Sequence, residues 1–208
     1  MTNESTQTVD MDFYSDFVSP YCLLAALRLE KLARQEALTP IWVAFLVRPH
    51  GSGPLSGEKL AEAEAQREAA AETLQQEFGL KLNPGPIGLD PYDAHLVMAH
   101  ASREGKSLAL GMALMRAYWL EGKAIDDRKV IEQVAVAAGF TAEEVRQAWD
   151  DERNSYFVRR GMEIGVGHGI QSVPTYIVGR AYLVQGATDY AHLEETVQTV
   201  KEERRKAG

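Results

Sequence analysis

The tetrad Ser19-Pro20-Tyr21-Cys22 holds the only cysteine of a 208-residue chain, three positions after a serine. Serine followed by proline signals a helix start: a hydroxyl for the N-cap, then a residue whose missing N–H costs nothing at the first helical position. A helix start carries unpaired N–H donors and about half a positive charge. A thiolate there is stabilised, and thiol pKa values at such positions fall from about 8.5 by one to several units. With Ser19 as the cap, Cys22 stands at the third helical position, still within reach of the dipole. Cys22 is then either a reactive thiol or, as lone cysteines often are, a small buried hydrophobe. A serine hydroxyl is a far weaker acid, and the sequence supplies no adjacent general base. Ser19 is therefore either a simple cap or a hydrogen-bond donor to the sulfur of another molecule.

The elements that must position this tetrad follow from periodicity. Residues 9–18 alternate, with Val9, Met11, Phe13 and Phe17 on one parity and Asp10, Asp12 and Asp16 on the other, which predicts a strand with one polar face. Leu23, Leu24 and Leu27 repeat at helical spacing, and the helix is expected to run to about residue 36. Thr39-Pro40 breaks the pattern. The continuous apolar run 41–47 suits a strand buried on both faces. This β-α-β order predicts a parallel pair. Loops are expected over 49–57 and 82–91, around a helix at 58–78. From 92 to about 167 only helices are read, at 92–104, 107–120, 126–138 and 141–160. The third of these connects to the fourth through Thr141-Ala142-Glu143-Glu144, which fits a capping box. The end returns to β: residues 172–186 read as a hairpin turning at Gly179-Arg180, followed by a helix over 191–201. Met98, Met112, Met115, Tyr118 and Trp119 fall at helical spacings and are expected in the core, with some lining a cleft.

Composition narrows the partners. A net charge of −8 argues against nucleic acid or an anionic membrane, because both demand concentrated Lys and Arg. Arg204-Arg205-Lys206 is interleaved with acids in a terminal helix and reads as solvated. No apolar run approaches the roughly 20 residues of a membrane span. The polar, acidic start lacks the features of a secretory signal, so a cytoplasmic location is expected. One cysteine excludes an intramolecular disulfide and a Cys-based zinc site. The histidines, at 50, 95, 100, 168 and 192, form no HxH or HxxxH pair, so no metal is expected. His168 reads as a surface or capping residue.

The strand leading into S-P-Y-C, the later Val173-Pro174 before a hairpin, and the glycine ahead of the last helix resemble the DsbA family. The resemblance implies an α/β thioredoxin-like fold (β-α-β … β-β-α) with a large all-helical insertion. It divides the chain into a discontinuous thioredoxin-like domain, 9–48 with 168–204, and a helical insertion domain, 55–167. The segments DPYDAHLVMAHA, RAYWLEGKAIDD, AAGFTAEEVR and SVPTYIVGRAYLVQGA resemble the FrnE-like branch. FYSDFVSPY resembles equally the kappa-class glutathione transferases and 2-hydroxychromene-2-carboxylate isomerases.

The branches imply different chemistry. The oxidoreductase branch implies thiol–disulfide chemistry on small-molecule or client-protein thiols, with Ser19 where the nucleophilic cysteine of a C-x-x-C motif stands and Cys22 in place of the second. The glutathione branch implies an isomerase or transferase in which Ser19 hydrogen-bonds the sulfur of bound glutathione and favours its thiolate. A third reading is a non-catalytic module that holds extended peptides. Ser19 and Cys22 are the candidate catalytic residues. The resemblance adds Tyr21, Val173, Pro174, Thr188 and Asp189 as substrate- or glutathione-binding residues. It makes Val173-Pro174 a cis peptide bond and implies a homodimer.

Overall fold

The computed structural model describes residues 8–207. β1 (Val9–Ser15), α1 (Pro20–Gln35) and β2 (Leu38–Ala44) open the fold. Six helices follow: α2 (Gly57–Phe78), α3 (Tyr92–Arg103), α4 (Ser107–Trp119), α5 (Arg128–Ala137), α6 (Ala142–Asp150) and α7 (Glu152–Gly167). β3 (Thr175–Val178), β4 (Tyr182–Gln185) and α8 (Tyr190–Ala207) close it. The sheet order is β2-β1-β3-β4, with β1 and β2 parallel and the remaining pairs antiparallel. This is the thioredoxin-like arrangement, with the helical block entering between β2 and β3.

β1 lies inside the sheet, and its alternation is real only at its start. Val9, Met11 and Phe13 are buried and Asp10 and Asp12 half-buried, after which every residue to Phe17 is buried. The leucines of α1 join Val9, Met11 and Phe13 in one core cluster; Leu23, Leu24, Leu29 and Leu32 are buried, each contributing roughly 1.5–3 kcal/mol of apolar transfer.

β2 differs from the expected 41–47. It starts at Leu38 and takes in Thr39-Pro40, and only its last three residues are buried. The reason is its place at the sheet edge, where a proline removes no essential ladder hydrogen bond. The helical block then covers this edge. Ser107 Oγ donates to the carbonyl of Pro40 at 2.6 Å, and Ser102 Oγ to that of Trp42 at 3.0 Å. Capping alternate edge carbonyls with hydroxyls also protects the strand from pairing with another chain.

The expected helix 141–160 is two helices. Asp151 ends α6 and caps α7, its carboxylate accepting from the N–H of Arg153 at 2.9 Å. An aspartate that bonds the backbone locally competes with helix continuation. The capping box of Thr141 and Glu144 opens α6. The hairpin turns at Gly179 and Arg180, both with positive φ (61° and 64°), the mirror-image turn that suits twisted strands. The buried set includes Met98, Met112, Met115, Tyr118 and Trp119.

Gly111 lets α4 seat on the sheet. A Cβ there would stand 2.3 Å from the Trp42 ring, which is 2 % exposed and has no space to retreat. Gly111→Ala is expected to lower unfolding free energy by about 1–3 kcal/mol in urea titrations. A variant as stable as the parent would show that α4 does not rest on Trp42 in this way.

Candidate functional site

Between β1 and α1 the chain makes a tight turn, and a buried carboxylate organises it. Asp16, expected on the polar side of a strand, is 1 % exposed. Its Oδ2 accepts from the N–H of Val47 at 2.7 Å, and Oδ1 accepts weakly from that of Val18 at 3.4 Å. His95 of α3, wholly buried, brings Nε2 to 3.3 Å from the same oxygen. Trp119 Nε1 donates to the carbonyl of Phe17 at 2.8 Å. These contacts fix residues 16–19 from the helical block and from the segment after β2.

Ser19 occupies the N-cap of α1 in extended conformation (φ −93°, ψ 121°), and its side chain makes no capping hydrogen bond. Its hydroxyl is therefore not consumed by the helix. Ser19, 8 % exposed, lines a cavity of about 580 Å³ together with Tyr21, Val173 and Tyr118. Val173 precedes the buried Pro174 through a cis peptide bond. Neither main-chain polar group of Val173 takes part in the loop's hydrogen bonds, which run from Gly186 to Pro174 and from the Thr175 hydroxyl to Ser172. Polar backbone facing a cavity without a partner is open to a ligand.

Three cations share this cavity: Arg48 after β2, and Lys59 and Arg67 on α2. Arg48 is held by the carbonyls of Gly53 and Ser52 at 2.9 and 3.2 Å. Arg67 is held by the Tyr118 hydroxyl at 2.5 Å and the Gly85 carbonyl at 3.2 Å. None of the three meets a carboxylate among the ion pairs of the described residues, and Glu62 is the one acid on the wall. In a chain of net charge −8 this is a local reversal of sign. No motif in the sequence marks these residues, because α2 and the loop before it bring them together only in the fold.

Cys22 takes the expected third position of α1 but is sealed, at 0 % exposure, and is absent from the cavity wall. Burial pushes its thiol up to about 11, outweighing the polar groups of Asp16, Ser15 and Ser19 that pull the other way. The hydroxyl of Ser15, also wholly buried, reaches no hydrogen-bond geometry with any group. The helix dipole that favours a thiolate thus loses to desolvation at this position.

Thr188 and Asp189 are not on the cavity wall. Asp189 caps α8, accepting from the N–H of His192 at 2.8 Å, and the carbonyl of Thr188 accepts from Arg28 at 2.9 Å. Arg28, itself buried, also pairs with Glu77 and bonds the carbonyl of Ala187, tying α1, α2 and the loop before α8 together. His168 is exposed at the end of α7.

The state of Cys22 gives a pH-dependent expectation. The folded thiol holds its proton to about 11, whereas an exposed one loses it near 9. Between these values unfolding releases a proton, so stability is level below pH 9 and falls as pH rises through the interval. The difference in unfolding free energy between pH 8 and about pH 10.5 should be roughly 2 kcal/mol larger for the parent than for Cys22→Ala, a comparison that cancels the buried tyrosines. The native protein should resist Ellman's reagent at neutral pH and react fully in guanidinium. Rapid labelling of the native state would contradict the sealed thiol.

Comparison with known proteins places this geometry in a lineage. A family model for the DSBA-like thioredoxin domain matches residues 10–198. The uncharacterized protein YwbO of Bacillus subtilis (strain 168) is 21 % identical over 175 residues, 83 % of this chain and 88 % of YwbO. The crystal structure of the probable DsbA oxidoreductase SCO1869 from Streptomyces coelicolor superposes with a TM-score of 0.75 at 22 % identity, covering 94 % of this chain and 91 % of that one. A 2-hydroxychromene-2-carboxylate isomerase gives 0.77 at 20 % identity, covering 96 % and 99 %. With the family model spanning nearly the whole chain, the protein belongs to the DSBA-like thioredoxin domain family.

Proposed function

We propose that the protein is a glutathione-dependent enzyme of the isomerase or transferase kind, in which Ser19 stabilises the thiolate of bound glutathione. The observation that carries this reading is the contrast at the start of α1: Ser19 faces the cavity, and the chain's own thiol does not. A sulfur entering from outside meets the N-terminal end of α1 and a hydroxyl that makes no capping hydrogen bond, in a cavity that cations also line. The hydroxyl donates to the sulfur, and the helix end favours the ionised form. The proton leaves to solvent, and the thiolate is the nucleophile for an electrophilic carbon of a second substrate.

The remaining wall fits a small acidic peptide. The open main chain of Val173 pairs with a peptide in extended form, as an added β-strand would. Arg48, Lys59 and Arg67 attract its carboxylates, and Tyr21 lines the same cavity. The expected cytoplasmic location would place the protein with the reduced glutathione pool. Thiol–disulfide exchange through Ser19-x-x-Cys22 fits less well, because an exchanging sulfur must be attacked in line and Cys22 is closed to solvent. The same closure argues against mixed disulfides with a client protein's thiol.

Calorimetric titration with reduced glutathione, together with intact-mass measurement after exposure to oxidised glutathione, separates the readings. Binding is expected to weaken about tenfold in Ser19→Ala, the loss of one charge-assisted hydrogen bond, and to stay within about twofold in Cys22→Ala. No glutathione adduct should form on the native protein. An adduct on Cys22, with binding indifferent to Ser19, would restore the exchange reading.

A further inference from the structure

A second cavity, of about 540 Å³, lies on the other side of Leu46, between the loop after β2 and α7. Leu46 lines both cavities, but their chemistry differs. Tyr92, Val158, Met162 and Val166 make this one an apolar groove. Of its two charged residues, Glu163 is held by Arg160 at 3.1 Å, and Arg159 comes only to 4.0 Å from the same carboxylate. Both side chains are more than half exposed, so the wall itself is apolar, unlike the one beside Ser19.

One polar group on the groove is held in a defined orientation. His50 Nδ1 lies 2.8 Å from Asp90 Oδ2, and the imidazole stacks on Tyr92 with ring centroids 3.9 Å apart. Asp90 is itself fixed, accepting from the N–H groups of Gly51 at 2.8 Å and Tyr92 at 3.1 Å. Burial raises its carboxyl, but those N–H groups and His50 outweigh it, and the carboxyl sits below its ordinary value. A carboxylate on Nδ1 fixes that nitrogen as the protonated one and leaves Nε2 an acceptor in the neutral ring. Nε2 has no hydrogen-bond partner among the described residues.

We infer that this groove is a separate binding site for an uncharged, flat apolar molecule carrying one hydrogen-bond donor, such as a phenol or an N–H heterocycle, with His50 Nε2 accepting its proton-bearing group. Apolar walls supply affinity, and the Asp90–His50 pair supplies orientation, the division of labour found in small-molecule pockets. The site does not depend on glutathione or on Ser19.

The probes are 1-naphthol and 1-methoxynaphthalene, equal in their ring system but differing in the donor, titrated calorimetrically into the full chain. Both should bind, with 1-naphthol about threefold to tenfold tighter, the net worth of one hydrogen bond to a solvent-accessible imidazole. His50→Leu should abolish that preference while leaving 1-methoxynaphthalene within about twofold. Met162→Trp, on the half-exposed side of α7, should weaken both ligands, with circular dichroism verifying its fold; Val166→Trp serves if it does not fold. Failure of either probe to bind up to its solubility, equal affinities, or indifference to His50→Leu and the groove-filling variant would overturn the inference.

Discussion

The side chain of Asp16 is a buried carboxyl group, and the architecture around the start of α1 follows from the need to satisfy its oxygens. A desolvated carboxylate is tolerable only with hydrogen bonds, and here they come from three parts of the chain: Val18 in its own turn, Val47 beyond β2 and His95 in α3. These contacts draw the helical block onto the sheet and pull the chain after β2 toward the turn. One consequence is local, since residues 16–19 are fixed with the Ser19 hydroxyl at the cavity. Another is wider, since the segment bent by the Val47 contact carries Leu46, Arg48 and His50, each a wall residue of one cavity or the other.

Position within the first turn of α1 then decides which sulfur can react. The dipole acts over the whole turn, but solvent does not. At the cap, Ser19 borders an electropositive cavity; three residues on, Cys22 has turned inward against the core. A helix end stabilises an anion only where the anion need not also be stripped of water, and at Cys22 desolvation is the larger effect. On the proposed reading, oxygen in place of sulfur at the cap moves the reactive thiol from the protein to its ligand. The cations beside Ser19 suit the anionic ligand that the proposed reading requires.

Much of this was legible from spacing. The alternation of Val9, Met11 and Phe13, the helix start at Ser19-Pro20, the Thr141–Glu144 box and the Gly179-Arg180 turn each carry their structure within a few residues and each formed, although the Ser19 hydroxyl makes no capping bond. Legibility failed where distant residues decide. Pro40 reads as a breaker but lies in β2, because an edge strand tolerates it and Ser102 and Ser107 complete the edge from the helical block. Asp16 reads as solvated but is buried, because its partners stand 31 and 79 positions away. Asp151 splits a helix that propensity alone would continue. Arg48, Lys59 and Arg67 carry no motif and converge only through the placement of α2. Asp189 is a helix cap, the simpler role its position before α8 allows.

The ionisation of bound glutathione tests the central claim most directly. In Cys22→Ala protein saturated with reduced glutathione, the ultraviolet absorbance of the thiolate can be followed against pH without interference from the chain's own sulfur. The bound thiol should ionise at least about one pH unit below its free value, near 8.5 to 9, and return toward that value when Ser19 is also replaced by alanine. Bound glutathione that titrates as it does free in solution, whether or not Ser19 is present, would contradict the account.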